Sequence, residues 1–165
     1  MCYVDANCLD ALSMRRLGGE LGVEAMSLYR YFPSKAALLD GVVCHALGLL
    51  ELPLADAGGD SWENDVRAFA RSSRRLAREH PRLMPLLATM GRQNHTLADV
   101  TNRMVMLWRD AGLDEATAQH AQTALQNYIT GSSLWDADRQ GSDDDFEFGL
   151  DVLVAGLRGV VAPRK

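Results

Sequence analysis

The chain has 165 residues, 47% of them hydrophobic and 24% charged. That suits one compact unit, or a small module joined to a larger body, with enough chain to bury a core. A net charge of -5 excludes a generally basic nucleic-acid coat protein, so any binding to DNA has to be local and geometric. Three cysteines, Cys2, Cys8 and Cys44, form no metal-ligand spacing and fit a reducing cytoplasm. With no signal peptide and no run of 18 apolar residues, a cytoplasmic protein without a membrane partner is expected.

In chain order, residues 1–10, MCYVDANCLD, read as the tail of a preceding element. The stretch from Leu12 to Leu39 then predicts two short helices around a tight turn and the start of a third. Ser13 suits an N-cap, its hydroxyl accepting from a free N–H two or three residues on. Leu17 and Leu21 share a face, Gly22 stands where a left-handed residue stops a helix, and Val23 plugs the turn. A second helix is expected from about Glu24 to Tyr31, with Leu28 inward, ended by Phe32-Pro33 because the residue before proline leaves the α region. Ser34 caps a third helix that Lys35 opens and that runs to about residue 50. Its stripe of Leu38, Leu39, Val42, Val43, Ala46 and Leu47 faces a core, while Cys44 and His45 read as packing and solvated edge. Two short helices about a glycine turn are the arrangement that lays a second helix in a DNA major groove. Against this, residues 1–48 hold four basic side chains (Arg15, Arg16, Arg30, Lys35) and five acidic ones (Asp5, Asp10, Glu20, Glu24, Asp40), a local charge of 4 − 5 = −1.

Residues 51–61, with Pro53 and Gly58-Gly59, form a loop and the best domain boundary, with Asp60 or Ser61 as the cap of the next helix. The pattern over 62–79 is an amphipathic helix. Val66, Phe69, Ala70, Ser73, Leu76 and Ala77 lie on one face, and Arg67, Arg71, Arg74, Arg75 and Arg78 on the other. The arginines read either as an anion face or as a solvated helix back paired with acids elsewhere. The second is favoured, because no aromatic residues interleave as stacking platforms. A short irregular helix over 81–91 carries Met84, Leu86, Leu87 and Met90. Leu97, Val100, Met104, Leu107, Trp108 and Ala111 line the inner face of a helix over 95–111, which Gly112 stops. Asp114 caps another to about Trp135, with Ala118, Ala121, Leu125, Tyr128, Ile129 and Ser132 inward. A polar loop is expected over 136–145, and a last helix from about Asp144 to Val161. The latter carries the stripe Phe146, Leu150, Leu153 and Leu157, widened by Phe148, Val152 and Val154, an apolar face broad enough for more than one partner. No HExxH, paired-cysteine, P-loop, GxGxxG or nucleophile-elbow pattern is present, and the four histidines sit on separate segments, so neither an enzyme nor a metal site or cofactor is expected.

Leu12-Ser13-Met14-Arg15-Arg16-Leu17, Leu21-Gly22-Val23, Leu28-Tyr29-Arg30-Tyr31-Phe32 and Lys35-Ala36-Ala37-Leu38-Leu39, at this spacing, resemble the helix-turn-helix of the tetracycline-repressor (TetR) family of bacterial transcription regulators. The segment FEFGLDVLVAGL resembles the C-terminal helix of one subgroup. The resemblance implies an all-α fold: a helix-turn-helix DNA-binding domain over 1–48, its first helix truncated, joined to an antiparallel helical effector-binding and dimerisation domain over 49–165. Either the start of the protein lies upstream of Met1 or the module lacks that helix, and the first is favoured.

The implied function is a ligand-responsive dimeric regulator, a repressor, that binds a palindromic operator and is released by a small molecule. The recognition helix would present Ala25, Met26, Ser27, Tyr29, Arg30 and Tyr31. Arg30 suits guanine O6/N7, and Met26 and Ala25 suit a thymine methyl. Ser13, Tyr29, Tyr31 and Lys35 suit phosphates, Arg15 either a base or a phosphate, and Arg16 a packing or backbone role. Phe69, Met84, Met104, Trp108, Gln126 and Tyr128 would wall a largely apolar effector, with Gln126 or Asn127 as its polar handle. Helices near 115–135 and 144–161 would pair in a homodimer. The alternative, motivated by the local charge and by residues 1–10, is a regulator-derived ligand-binding or heterodimerising module that no longer binds DNA.

Overall fold

The computed structural model describes residues 12–53, 62–90, 94–139 and 142–161, with Met84, 88–90 and 136–139 described by their backbone alone. Among the described residues the regular structure is entirely helical: α1 (Met14–Leu21), α2 (Ala25–Tyr29), α3 (Lys35–Leu47), α4 (Trp62–Glu79), α5 (Leu83–Met90), α6 (His95–Asp110), α7 (Glu115–Arg139) and α8 (Asp143–Arg158). Residues 1–10 and the proposed cap at Asp60 or Ser61 lie outside the described residues.

Local chemistry sets most of the helix ends. Ser13, Ser34, Asn94, Asp114 and Ser142 each accept a backbone N–H from the first turn of the adjoining helix, satisfying a donor the helix leaves unpaired. Gly22 stops α1 at φ 68° and Gly112 comes after α6 at φ 107°, both left-handed conformations that favour glycine. Several ends differ from the sequence reading: α3 stops at Leu47 and α8 at Arg158, each about three residues short of the expected end. The second helix spans only Ala25–Tyr29, and Arg30 and Tyr31 lie beyond it in a closed turn in which Tyr31 N and Phe32 N donate to the Leu28 carbonyl. The helix expected to end near Trp135 continues to Arg139, and α8 begins at Asp143. Asp136-Ala137-Asp138-Arg139 contains no breaker, so the polar run continues the helix rather than opening a loop.

Packing forms two cores. The large one joins α3–α8 around α7, which packs against α4, α5, α6 and α8. At its centre Trp108 and Trp62 pack with ring centroids 5.5 Å apart, and Met104, Leu125, Ile129, Leu150 and Val154 are fully buried. The small core joins Leu12, Met14 and Leu38, with Leu17, Ala25, Leu28, Phe32 and Leu39 packed around them. It extends only under the first turns of α1. Leu21, four residues from Leu17 on the same face, is 59% exposed, and Val23 is also exposed rather than plugging the turn. The chain leaves α1 through Gly22 directly after Leu21, which carries both side chains past the edge of that core.

The arginines of α4 are paired. Arg71 holds Glu147 with two bonds of 2.8 and 2.7 Å, Arg67 holds Asp151 at 2.8 Å, Arg75 holds Glu51 at 2.7 Å, and Arg74 and Arg78 share Asp143. Arg74 is buried, 4.5 Å above the Phe146 ring, and donates to the Ser142 carbonyl at the start of α8. Four of these arginines therefore fasten α4 to α8, Arg75 fastens it to the segment after α3, and the anion-face reading is not needed.

Candidate nucleic-acid interface and ligand cavity

The helix-turn-helix is closed by a backbone approach. Val23 N donates to the Gly18 carbonyl at 2.9 Å, and a Cβ at Gly18 would lie 2.7 Å from the Val23 carbonyl oxygen. Only glycine lets the turn come this near. Around it the structure gathers Ser13, Arg15, Met26, Ser27, Tyr29, Arg30 and Tyr31 as exposed side chains of one small module. Met26 and Tyr31 are its most open large apolar groups, at 71% and 79% exposure, where a solvated surface gains nothing from them. Arg15 and Arg30 make no ion pair among the described residues. Ser13 uses its oxygen as the α1 cap, accepting from Arg16 N at 3.3 Å, and keeps its O–H to donate. Two expected contacts are placed differently. Ala25 is half-buried against the small core, because its backbone packs over Gly18, and Lys35 is half-buried in the first turn of α3.

The second feature is a cavity of about 800 Å³ within the helical body. Phe69, Leu76 and Ser73 of α4, Leu87 of α5, residues of α6 including Leu97, Ala98 and Thr101, and residues of α7 from Gln122 to Thr130 line it. Leu47 and Leu50, at the far end of the helix that begins beside the helix-turn-helix, complete the wall. The size is that of sites for small organic ligands.

Of the residues predicted for an effector, Phe69 and Gln126 line this cavity, as does Asn127. Met104, Trp108 and Tyr128 do not. Met104 and Trp108 are fully buried core, and Tyr128 turns toward α8, its hydroxyl donating to the Phe146 carbonyl at 2.6 Å and its ring stacked on Phe146. The Met84 side chain lies outside the described residues. Sequence reasoning missed Gln122, a buried amide whose oxygen accepts from Trp108 Nε1. The signal was present: Gln122 falls in the apolar stripe Ala118, Gln122, Leu125, Ile129, where a polar side chain demands a partner or a ligand.

A third surface is apolar and uncovered. Leu134 and Trp135 on α7, and Phe148 and Val152 on α8, are exposed, Phe148 at 72%. Val154, expected to widen this face, is instead buried in the core. Behind the face the two helices are pressed together, since a Cβ at Gly149 would meet the Tyr128 hydroxyl at 2.6 Å. Among the described residues no helix is long and apolar enough to cross a membrane, and no group of three metal-ligating side chains occurs.

Comparison with known proteins matches residues 8–42 to the model of bacterial regulatory proteins of the tetR family, and residues 52–140 to that of the tetracyclin repressor-like C-terminal domain. The chain is 34% identical over 149 residues to the HTH-type transcriptional repressor DrrR1 of Streptomyces coeruleorubidus, covering 87% of this chain and 55% of that protein. The chain thus spans about half the length of the curated relatives it matches. Among solved structures, the TetR family protein ActR of Streptomyces coelicolor in complex with actinorhodin superposes with a TM-score of 0.79 at 26% identity, over 98% of this chain and 93% of that one. BioQ bound to its double-stranded DNA operator superposes with a TM-score of 0.71 at 26% identity, over 93% and 90% of the two chains.

Proposed function

The chain belongs to the tetracycline-repressor family of bacterial regulatory proteins, and from that premise we propose that it is a ligand-responsive repressor acting as a homodimer on a palindromic DNA operator. One observation carries the reading. Helix α3 starts in the small core beneath the helix-turn-helix, through Leu38, and its other end, Leu47 and the adjoining Leu50, walls the cavity. Whatever fills the cavity therefore presses on the element that aims the reading surface. Two further links tie this helix and the segment just after it to the body: Asn94 Nδ2 donates to Asp40 Oδ1 at 3.2 Å, and Glu51 N donates to the buried Ser72 hydroxyl at 3.0 Å.

On DNA, the exposed Arg30 donates bidentately to a guanine edge, Met26 touches a thymine methyl, and Ser13, Tyr29 and Tyr31 position the module on phosphates. Arg15 adds a second cation. So few cations per subunit make dimerisation necessary for useful affinity, and Leu134, Trp135, Phe148 and Val152 supply the apolar surface for it. Occupied and empty cavities then favour different spacings of the two reading surfaces, a coupling of the order of 1–3 kcal/mol. ActR with actinorhodin and BioQ with its operator support the two halves of this reading by analogy.

The local charge of −1 over residues 1–48 favours a second reading, a ligand-binding or heterodimerising module without DNA affinity. A thermal-shift screen of neutral organic compounds, followed by anisotropy titrations of duplex from upstream of the chain's own coding region, separates them. Compounds that raise the melting temperature of the parent more than that of Ala98→Phe, which puts a ring into the cavity, release the duplex if the first reading holds. Stabilising compounds that leave duplex affinity unchanged contradict the coupling. A parent chain with no salt-dependent affinity for the duplex supports the second reading.

A further inference from the structure

Gln122 is 4% exposed and lies in the cavity wall. Behind it stands Trp108, fully buried and held against Trp62, whose indole Nε1–H donates to Gln122 Oε1 at 3.4 Å. An indole N–H can only donate, so the amide must turn its oxygen to the tryptophan. Nε2, with two N–H donors, is then directed away from Trp108, and it has no hydrogen-bond acceptor among the described residues. Nε2 is not among the buried polar atoms left without a partner, so it still reaches the open space of the cavity, where an incoming acceptor can meet it and a ligand that covered it without an acceptor would lose free energy. The rest of the lining adds a second constraint. Leu47, Leu50, Phe69, Leu76 and Leu87 make the α3–α5 side apolar, the α7 side carries amides and hydroxyls, and no ionisable side chain lines the cavity among the described residues.

We propose that Gln122, aimed by Trp108, is the specificity-determining group of this cavity, and that the ligand is an uncharged molecule that sets a carbonyl-type oxygen on Nε2 and its apolar body against Phe69 and Leu76. This rests on the reading of the cavity as the effector site. Against the described lining, an anionic ligand would find donors but no counter-charge, and a cationic one would meet the N–H pair with its own positive end, so both lose to a neutral acceptor. The preference belongs to a fixed donor, not to greasiness, and that separates it from a plain apolar pocket.

The test uses the full chain and two dyes with one fused-ring skeleton: Nile red, neutral with a ring ketone, and Nile blue, which carries a cationic iminium nitrogen in place of that oxygen. Fluorescence titration of the parent is expected to show saturable Nile red binding and weaker Nile blue binding. Gln122→Leu is expected to weaken Nile red by roughly 10-fold or more, although it makes the cavity more apolar. Gln122→Glu keeps an oxygen for Trp108, removes the donors, weakens Nile red and improves Nile blue, and it carries the test if the leucine variant melts at working temperature. Absence of saturable Nile red binding by the parent, Nile red binding by Gln122→Leu as tight as the parent's, or equal affinity of the parent for both dyes overturns the proposal. Ala98→Phe, which puts an aromatic ring into the cavity opposite α7, tells the two levels apart. If it binds Nile red like the parent, the cavity reading fails. If it abolishes binding while Gln122→Leu leaves it intact, the assignment of Gln122 alone fails.

Discussion

The adjacent pair Gly18-Gly19 sets up an internally controlled experiment on the helix-turn-helix. Both glycines lie in α1, so alanine at either position gains the same helix propensity, about 0.8–1.0 kcal/mol. Their surroundings differ. A Cβ at Gly19 meets nothing within 4 Å, whereas one at Gly18 comes within 2.7 Å of the Val23 carbonyl oxygen and 3.3 Å of Ala25 N. Both neighbours are backbone, and neither can rotate out of the way. Relief requires the turn and the start of α2 to retreat by roughly 0.5–1 Å to reach ordinary contact distance. Overpacking of this kind costs about 1–3 kcal/mol. Because the propensity gain cancels between the two variants, the difference in their stabilities reports the strain alone. At roughly 2–4 °C per kcal/mol for a chain of this size, Gly18→Ala is expected to melt several degrees below Gly19→Ala, with Gly19→Ala at or above the parent. Thermal melts followed by circular dichroism measure this. The same strain re-aims α2, so duplex affinity falls in Gly18→Ala and not in Gly19→Ala. A Gly18→Ala chain as stable as Gly19→Ala would show that α1 and the turn do not approach each other this closely.

The other surfaces give two more outcomes. Phe148→Glu places a charge in the middle of the exposed apolar face of α8, and sedimentation is expected to shift from dimer to monomer while the monomer's helix content is unchanged; a dimer of undiminished affinity would place the interface elsewhere. The α4–α8 pairs are acid-sensitive. Arg78 and Arg74 beside Asp143, Arg71 beside Glu147, and Arg158 beside Glu63 hold these carboxyls below their ordinary range. Their contribution is therefore complete above the ordinary carboxylate values, about pH 4, and is lost as pH falls through the lower folded ones. Amide protection in residues 143–158, taken relative to the intrinsic exchange rate at each pH, is expected to fall selectively below about pH 4, modestly because the pairs are largely exposed and screened by salt. Protection there that is unchanged or greater on acidification would contradict the assignment.

The helices were legible where local chemistry decides them. The stretch 62–79 begins and ends as its pattern indicates, and Ser13, Ser34, Asp114, Gly22 and Gly112 act as the caps and stops their side chains suit. The pairing of the α4 arginines was also visible as an expectation, since no stacking groups accompany them. Coverage was not legible. Leu21 has the spacing of a core residue, but whether a core extends that far depends on the exit direction set by Gly22. The cavity was harder still. Periodicity shows which face of a helix points inward, and Met104, Trp108 and Phe69 all point inward, yet only Phe69 meets empty space. A void is what the neighbouring helices fail to fill, a property of their relative placement rather than of any one stripe. Gln122 is the exception, because a buried amide among apolar neighbours announces a need for a partner before the partner is known.

The claim that this module reads DNA rests most heavily on Arg30, an exposed guanidinium without an ion pair among the described residues, in the turn after α2. Its direct test is the affinity of the parent and of Arg30→Ala for the upstream duplex, by fluorescence anisotropy at two salt concentrations and at matched melting temperature. Loss of one bidentate base contact costs about 1–3 kcal/mol per subunit, so binding by the variant is expected to weaken by at least roughly 10-fold while its fold and oligomeric state are retained. An Arg30→Ala chain that holds the duplex as tightly as the parent would contradict the account.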